Sequence, residues 1–125
     1  DFMKKLKWST GKVLSGQKLG RKLSFPTVNL DPSIWPLNFK EGVYSSLVKY
    51  ENKIYKGALY YGSRLVLKET AKVLEIYILD FNQKIYEKKI SWQIGKYLRE
   101  ARNFSTLEAL TIQLKKDIEE VRGLE

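Results

Sequence analysis

The chain has 125 residues, 43% of them apolar and 13% aromatic, which fits one domain with a single core and excludes a disordered chain. Histidine and cysteine are both absent, which excludes imidazole bases, Ser-His-Asp triads, His- or Cys-bound zinc and thiolate nucleophiles. Lys and Arg number 23 against 14 acids, a net charge of +9, so the expected partners are anionic, either phosphate-bearing small molecules or nucleic acid.

Residues 1–10 read as a tail or linker, with Leu6 and Trp8 as packing anchors. The basic bias is strongest at this end, where residues 1–22 hold seven Lys/Arg and one acid. No secretory signal pattern follows the charged start, no apolar run approaches a membrane span, and the lack of cysteine fits a reducing, cytoplasmic setting.

The stretch from Gly16 to Leu30 carries the densest chemistry. Gly16, Lys18, Gly20, Arg21 and Lys22 combine glycines, which let backbone N–H groups approach a ligand, with cations suited to phosphate. Read blandly, they form a basic loop before a proline-stiffened turn. In the Pro26-Thr27-Val28-Asn29 step that follows, Thr27 and Asn29 point the same way if the segment is extended. A hydroxyl beside an amide oxygen is a hard, neutral donor pair that suits Mg²⁺ when phosphates supply the remaining charge. Pro32 and Pro36 then mark an irregular connection, with Ile34 and Trp35 folded back on the body.

The middle of the chain reads as antiparallel strands. Residues 42–50 are rich in β-formers, Glu51-Asn52-Lys53 marks a turn, and residues 54–61 return. Lys72 to Asp80 forms another strand, Asn82-Gln83 turns it, and Lys89 to Ile94 continues the pattern. In the Lys72–Asp80 strand, alternation puts Leu74, Ile76 and Ile78 on one face and Glu75 on the other with Val73, Tyr77 and Leu79. Glu75 is either a solvent-facing charge or a carboxylate poised to accept a proton. In Tyr97–Phe104, Arg99 and Glu100 read as surface charges and Phe104 as a staple before the last helix. That helix opens with a Ser105-x-x-Glu108 capping box, carries a stripe of Leu107, Leu110, Leu114, Ile118 and Val121, and ends at Gly123. Short antiparallel strands followed by one helix predict a mainly β fold, a compact barrel with a C-terminal helix packed on it.

Three of these segments resemble, in order, the motifs of riboflavin kinases of the bacterial and eukaryotic type. Gly11, Val13, Gly16, Gly20, Arg21, Leu23, Phe25, Pro26, Thr27, Asn29 and Leu30 match G-x-V-x-x-G-x-x-x-G-R-x-L-x-F-P-T-x-N-L. Leu74–Phe81 is similar to V/L-E-x-H-x-x-D-F, and Tyr97–Phe104 to L-R-x-E-x-x-F. The departures are Ser24 and Glu87 for glycines, Tyr77 for histidine, and Leu65-Val66 where the family has Pro-Thr.

The resemblance implies a closed Greek-key β-barrel of about six strands over residues 11–125. It implies an ATP-dependent phosphotransferase that makes FMN from riboflavin without a Walker P-loop. In that plan Gly16, Lys18, Gly20, Arg21, Lys22 and Thr27 surround the nucleotide. Thr27 and Asn29 hold Mg²⁺, Glu75 is the base, and Arg99 and Phe104 form the flavin side. Riboflavin and ATP are the implied partners, with no membrane. Bacterial relatives often fuse this domain to an FMN adenylyltransferase, whose histidine-dependent motif this chain lacks. The other readings are a non-catalytic flavin- or nucleotide-binding module and, with less support, an oligonucleotide-binding barrel suggested by the charge and eight tyrosines.

Overall fold

In a computed structural model, the described residues are 7–15, 27–63 and 71–124. They contain β1 (Ser9–Lys12), β2 (Val28–Leu30), a 3-10 turn (Pro32–Ile34), β3 (Gly42–Tyr50), β4 (Lys53–Ser63), β5 (Lys72–Ile78), β6 (Lys89–Arg99) and one helix, α1 (Leu107–Arg122). The strands form one antiparallel sheet ordered β1-β6-β3-β4-β5-β2. Strands β3, β4 and β5 follow one another as hairpins and β6 returns beside β3, which is a Greek key. The edges approach each other where Leu14 N donates to Asn29 O at 2.7 Å, so the barrel is nearly closed.

The β3–β4 hairpin shows how sequence sets register. Tyr50 pairs with Lys53, leaving Glu51 and Asn52 as a two-residue loop with φ of 48° and 66°. Two consecutive left-handed residues make the turn whose twist matches the strands. The turn is thus one residue shorter than the sequence suggests, because Lys53 joins β4. Gly42 opens β3 at φ 151°, and a Cβ there would lie 2.5 Å from Arg99 O, so the approach of β6 requires glycine.

Inside the barrel, Val48, Leu59, Ile76 and Trp92 are 0% exposed, joined by Val13, Leu30, Leu74 and Ile90. Removal of this apolar surface from water is the main driving term of the fold. Trp35 folds back as the sequence predicts. It stacks on Tyr61 at 4.7 Å and its Nε1 donates to Phe39 O at 2.9 Å, whereas Ile34 beside it is 41% exposed.

Four further boundaries differ from the sequence reading. β1 takes in Ser9 and Thr10 from the expected tail, because they pair with Trp92 and Ser91. β5 stops at Ile78, and Asp80 turns the chain at φ 57°. β6 runs on through Tyr97-Leu98-Arg99, held to β3 across an irregular step where Lys96 N donates to the Ser45 hydroxyl at 2.7 Å. The helix cap is Thr106, whose Oγ1 accepts from Ala109 N at 3.0 Å, so a simple cap one residue later replaces the expected Ser105–Glu108 box, because Ala109 has no side chain to bond back. Gly123 does follow the last turn. Along the stripe Val121 is buried, Leu110, Leu114 and Ile118 are half-buried, and Leu107 is exposed. The helix lies against β4, where Lys56 Nζ donates to Arg122 O at 3.0 Å and to Leu124 O, and Arg122 reaches Asp80 at 3.1 Å. Among the described residues, no helix is long and apolar enough to cross a membrane.

Candidate active site

Pairing of β2 with β5 sets Asn29 directly opposite Glu75. Opposed residues of an antiparallel pair share a face, with Cβ atoms about 5 Å apart. Leu74, Ile76 and Ile78 fill the core, so alternation turns Glu75 and Asn29 outward. They are nevertheless covered, at 7% and 5% exposure. Thr27, two residues before Asn29, donates its hydroxyl to Glu75 Oε2 at 3.0 Å. A carboxylate is thereby joined with a hydroxyl 48 positions earlier in sequence and with the amide two residues after that hydroxyl.

These groups form a hard, oxygen-rich donor set. Thr27 spends its proton on Glu75, which leaves the hydroxyl lone pairs able to meet another partner. Among the described residues, no group of three or more His, Cys, Asp or Glu could hold a metal by itself. A divalent ion here would need phosphate oxygens to complete its shell, as Mg²⁺ usually does.

A cavity of about 440 Å³ opens beside Thr27, walled by Val13, Val28, Phe81, Asn82 and Tyr86. Gly16, Lys18, Gly20, Arg21 and Lys22 lie outside the described residues, as do Ser24, Leu65 and Val66. The flanks of the basic loop are placed, and both Val13 and Thr27 line the cavity. Next in sequence to Tyr86, Glu87 stands at φ 66°, a conformation glycine adopts without cost. This explains a glycine at that place in the resembled pattern. Glu87 is tied to Lys12 at 2.9 Å and accepts from the Ser15 hydroxyl at 3.4 Å. The Lys12 ammonium, with help from Ser15, holds its carboxyl below the usual glutamate range.

Arg99 sits elsewhere on the same outer face. Register links it to Val43, Val43 to Tyr60, and Tyr60 to Glu75. Its guanidinium does not project alone. Nε and Nη2 donate to the two oxygens of Asp117 at 2.8 Å each, and Nη1 donates to Glu100 O at 3.1 Å. Phe104 lies with its ring centroid 5.9 Å from Arg99 Cζ. Sequence reasoning missed Asp117 and Gln113, whose amide donates to Asp117 at 3.0 Å. A signal existed: Asp117 falls three residues after Leu114 and four before Val121, inside the apolar stripe.

The family model for flavokinase, riboflavin kinase, matches residues 5–124. The RNA-binding riboflavin kinase RibR of Bacillus subtilis is 42% identical over 86% of this chain and 46% of that protein. The bifunctional riboflavin kinase/FMN adenylyltransferase of Haemophilus influenzae is 30% identical over 90% of this chain and 37% of that protein. The crystal structure of riboflavin kinase from Trypanosoma brucei aligns over 92% of this chain and 76% of that one, with TM-score 0.62 and 24% identity, and shares the fold. The chain belongs to the riboflavin kinase family. It spans less than half the length of these two curated relatives.

Proposed function

We propose that this chain phosphorylates riboflavin with ATP, and that Glu75, Thr27 and Asn29 are the centre of that reaction. The carrying observation is the meeting of Thr27 and Asn29 with Glu75, two sequence-distant motifs joined by one hydrogen bond and one strand register. Glu75 accepts the proton of the terminal ribityl hydroxyl as that oxygen bonds to the γ-phosphorus. The bond from the γ-phosphorus to its bridging oxygen breaks, and ADP leaves. Thr27 orients the carboxylate, and Thr27 and Asn29 offer oxygens to a Mg²⁺ carried by the nucleotide. When bound, Mg²⁺ neutralises charge on the phosphates.

The nucleotide sits against the cavity beside Thr27, with Gly16, Lys18, Gly20, Arg21 and Lys22 as its loop. Arg99 and Phe104 form the flavin side. Three strand spacings from Glu75 to Arg99 are at most about 14 Å. That span suits a ligand with an aromatic system at one end and a hydroxyl chain at the other. The domain spans residues 11–125 with Ser9 and Thr10 added, works in the cytoplasm, and is a module that an adenylyltransferase domain can accompany.

Incubation with riboflavin, ATP and Mg²⁺, followed by chromatography of the flavins, tests this reading. FMN formation that requires Mg²⁺ supports it. Riboflavin binding without product would leave the non-catalytic module.

The RNA-binding name of one relative gives polyanion binding a specific second support. Exposed Lys12 and Lys89 face each other across β1 and β6, and Lys49 stands 5.5 Å over the Trp8 ring. Salt-dependent binding of single-stranded RNA, weakened by Lys49→Glu and Lys89→Glu together, is its expected signature.

A further inference from the structure

The crossover of residues 100–106 joins β6 to α1 without regular structure, and it carries Phe104. An aromatic wall on such a segment needs something else to fix it. The Arg99–Asp117 pair is placed to do so. Its side chains are 13% and 4% exposed, both carboxylate oxygens are engaged, and Gln113 adds a third donor. Nη1 of the same guanidinium holds the first carbonyl of the crossover, and the Phe104 ring lies beside it. One planar group therefore fixes the end of β6, the crossover, the helix and the ring relative to one another.

We propose that Arg99, Asp117 and Gln113 are positioning residues that hold Phe104 and the crossover as the wall of the flavin site. Arg99 acts through this fixed geometry and not as a ligand of the flavin's polar edge. The inference rests on the riboflavin reading above. A dehydrated ion pair is a weak source of stability, since apolar residues of similar volume often replace one without loss. What it supplies is a defined geometry. Arg99 also shares its transverse row with Glu75, so a shift of the wall misaligns the hydroxyl that Glu75 must meet.

The test compares Asp117→Asn, Arg99→Lys, Gln113→Leu and the apolar double variant Arg99→Met/Asp117→Leu. Riboflavin and ATP are titrated separately, and riboflavin binding is also followed by flavin fluorescence without turnover. Asp117→Asn and Arg99→Lys should each raise the riboflavin KM about tenfold and leave the ATP KM within about twofold. The double variant should keep a near-normal melting temperature with the same riboflavin defect, which a merely structural pair would not produce. Gln113→Leu, with the ion pair intact, should weaken riboflavin binding by a smaller factor. A normal riboflavin KM in the double variant overturns the proposal, as does a defect in Arg99→Lys without one in Asp117→Asn. If the double variant does not fold, unchanged riboflavin binding in both Asp117→Asn and Gln113→Leu overturns it. A wild-type chain that makes no FMN would instead remove the kinase reading, and the fluorescence titration still decides whether these residues position the wall.

Discussion

Glu75 and Asp117 are both buried carboxylates, at 7% and 3% exposure, yet their surroundings differ in kind. Asp117 accepts three N–H bonds, two from a guanidinium aligned with both its oxygens. Glu75 accepts from the Thr27 hydroxyl on β5, flanked by β4 on one side and β2 on the other. The first arrangement is a bidentate ion pair, and the second is the centre proposed above for the phosphoryl transfer. Burial of an acid by itself does not distinguish the two settings.

The largest expected contrast is between removals at these two sites. Glu75→Gln should fold normally and bind riboflavin, with kcat reduced about 10²–10⁴-fold in a flavin chromatography assay. Unchanged turnover would remove Glu75 as the base. Asp117→Ala should do the opposite first. It strands the Arg99 guanidinium and should cost about 3–5 kcal/mol in urea unfolding. An unfolding curve like wild type would mean that Arg99 finds solvent easily.

Asn29→Ala sharpens the Glu75 side of the comparison. It should raise the magnesium required for half-maximal rate by about tenfold, with riboflavin affinity nearly unchanged. A normal magnesium titration would count against the metal role. The smallest effects lie at Glu87. Glu87→Gly should melt a few degrees above Glu87→Ala, because only glycine takes φ 66° without strain. The Lys12 hydrogen bond and charge hold the folded Glu87 carboxyl below its ordinary value. Its stabilisation is therefore present above the unfolded glutamate pKa and lost as pH falls through the folded value. The melting difference between wild type and Glu87→Gln should accordingly shrink on acidification.

Much of the fold was legible because strand and helix periodicities are local. The β3–β4 hairpin, the core face of β5 and the helical stripe follow from side-chain alternation and spacing alone. The errors fell at ends, where a neighbour decides. Lys53 joins β4 because Tyr50 pairs with it, and the helix is capped by Thr106 because its hydroxyl meets Ala109 N. The propensity of Glu87 argues against a left-handed conformation, and only the glycine at its place in the resembled pattern hints at one.

By itself the sequence determined the menu of chemistry. Without histidine or cysteine, oxygen and nitrogen donors remain, and the Thr27-x-Asn29 spacing fixes two of them on one face. Only the tertiary structure decided which groups meet. The β2–β5 register sets Asn29 opposite Glu75, and α1 folds back to lay Asp117 against Arg99. Contacts between residues this far apart depend on strand order and helix docking. Those are properties of the whole core and not of any local run.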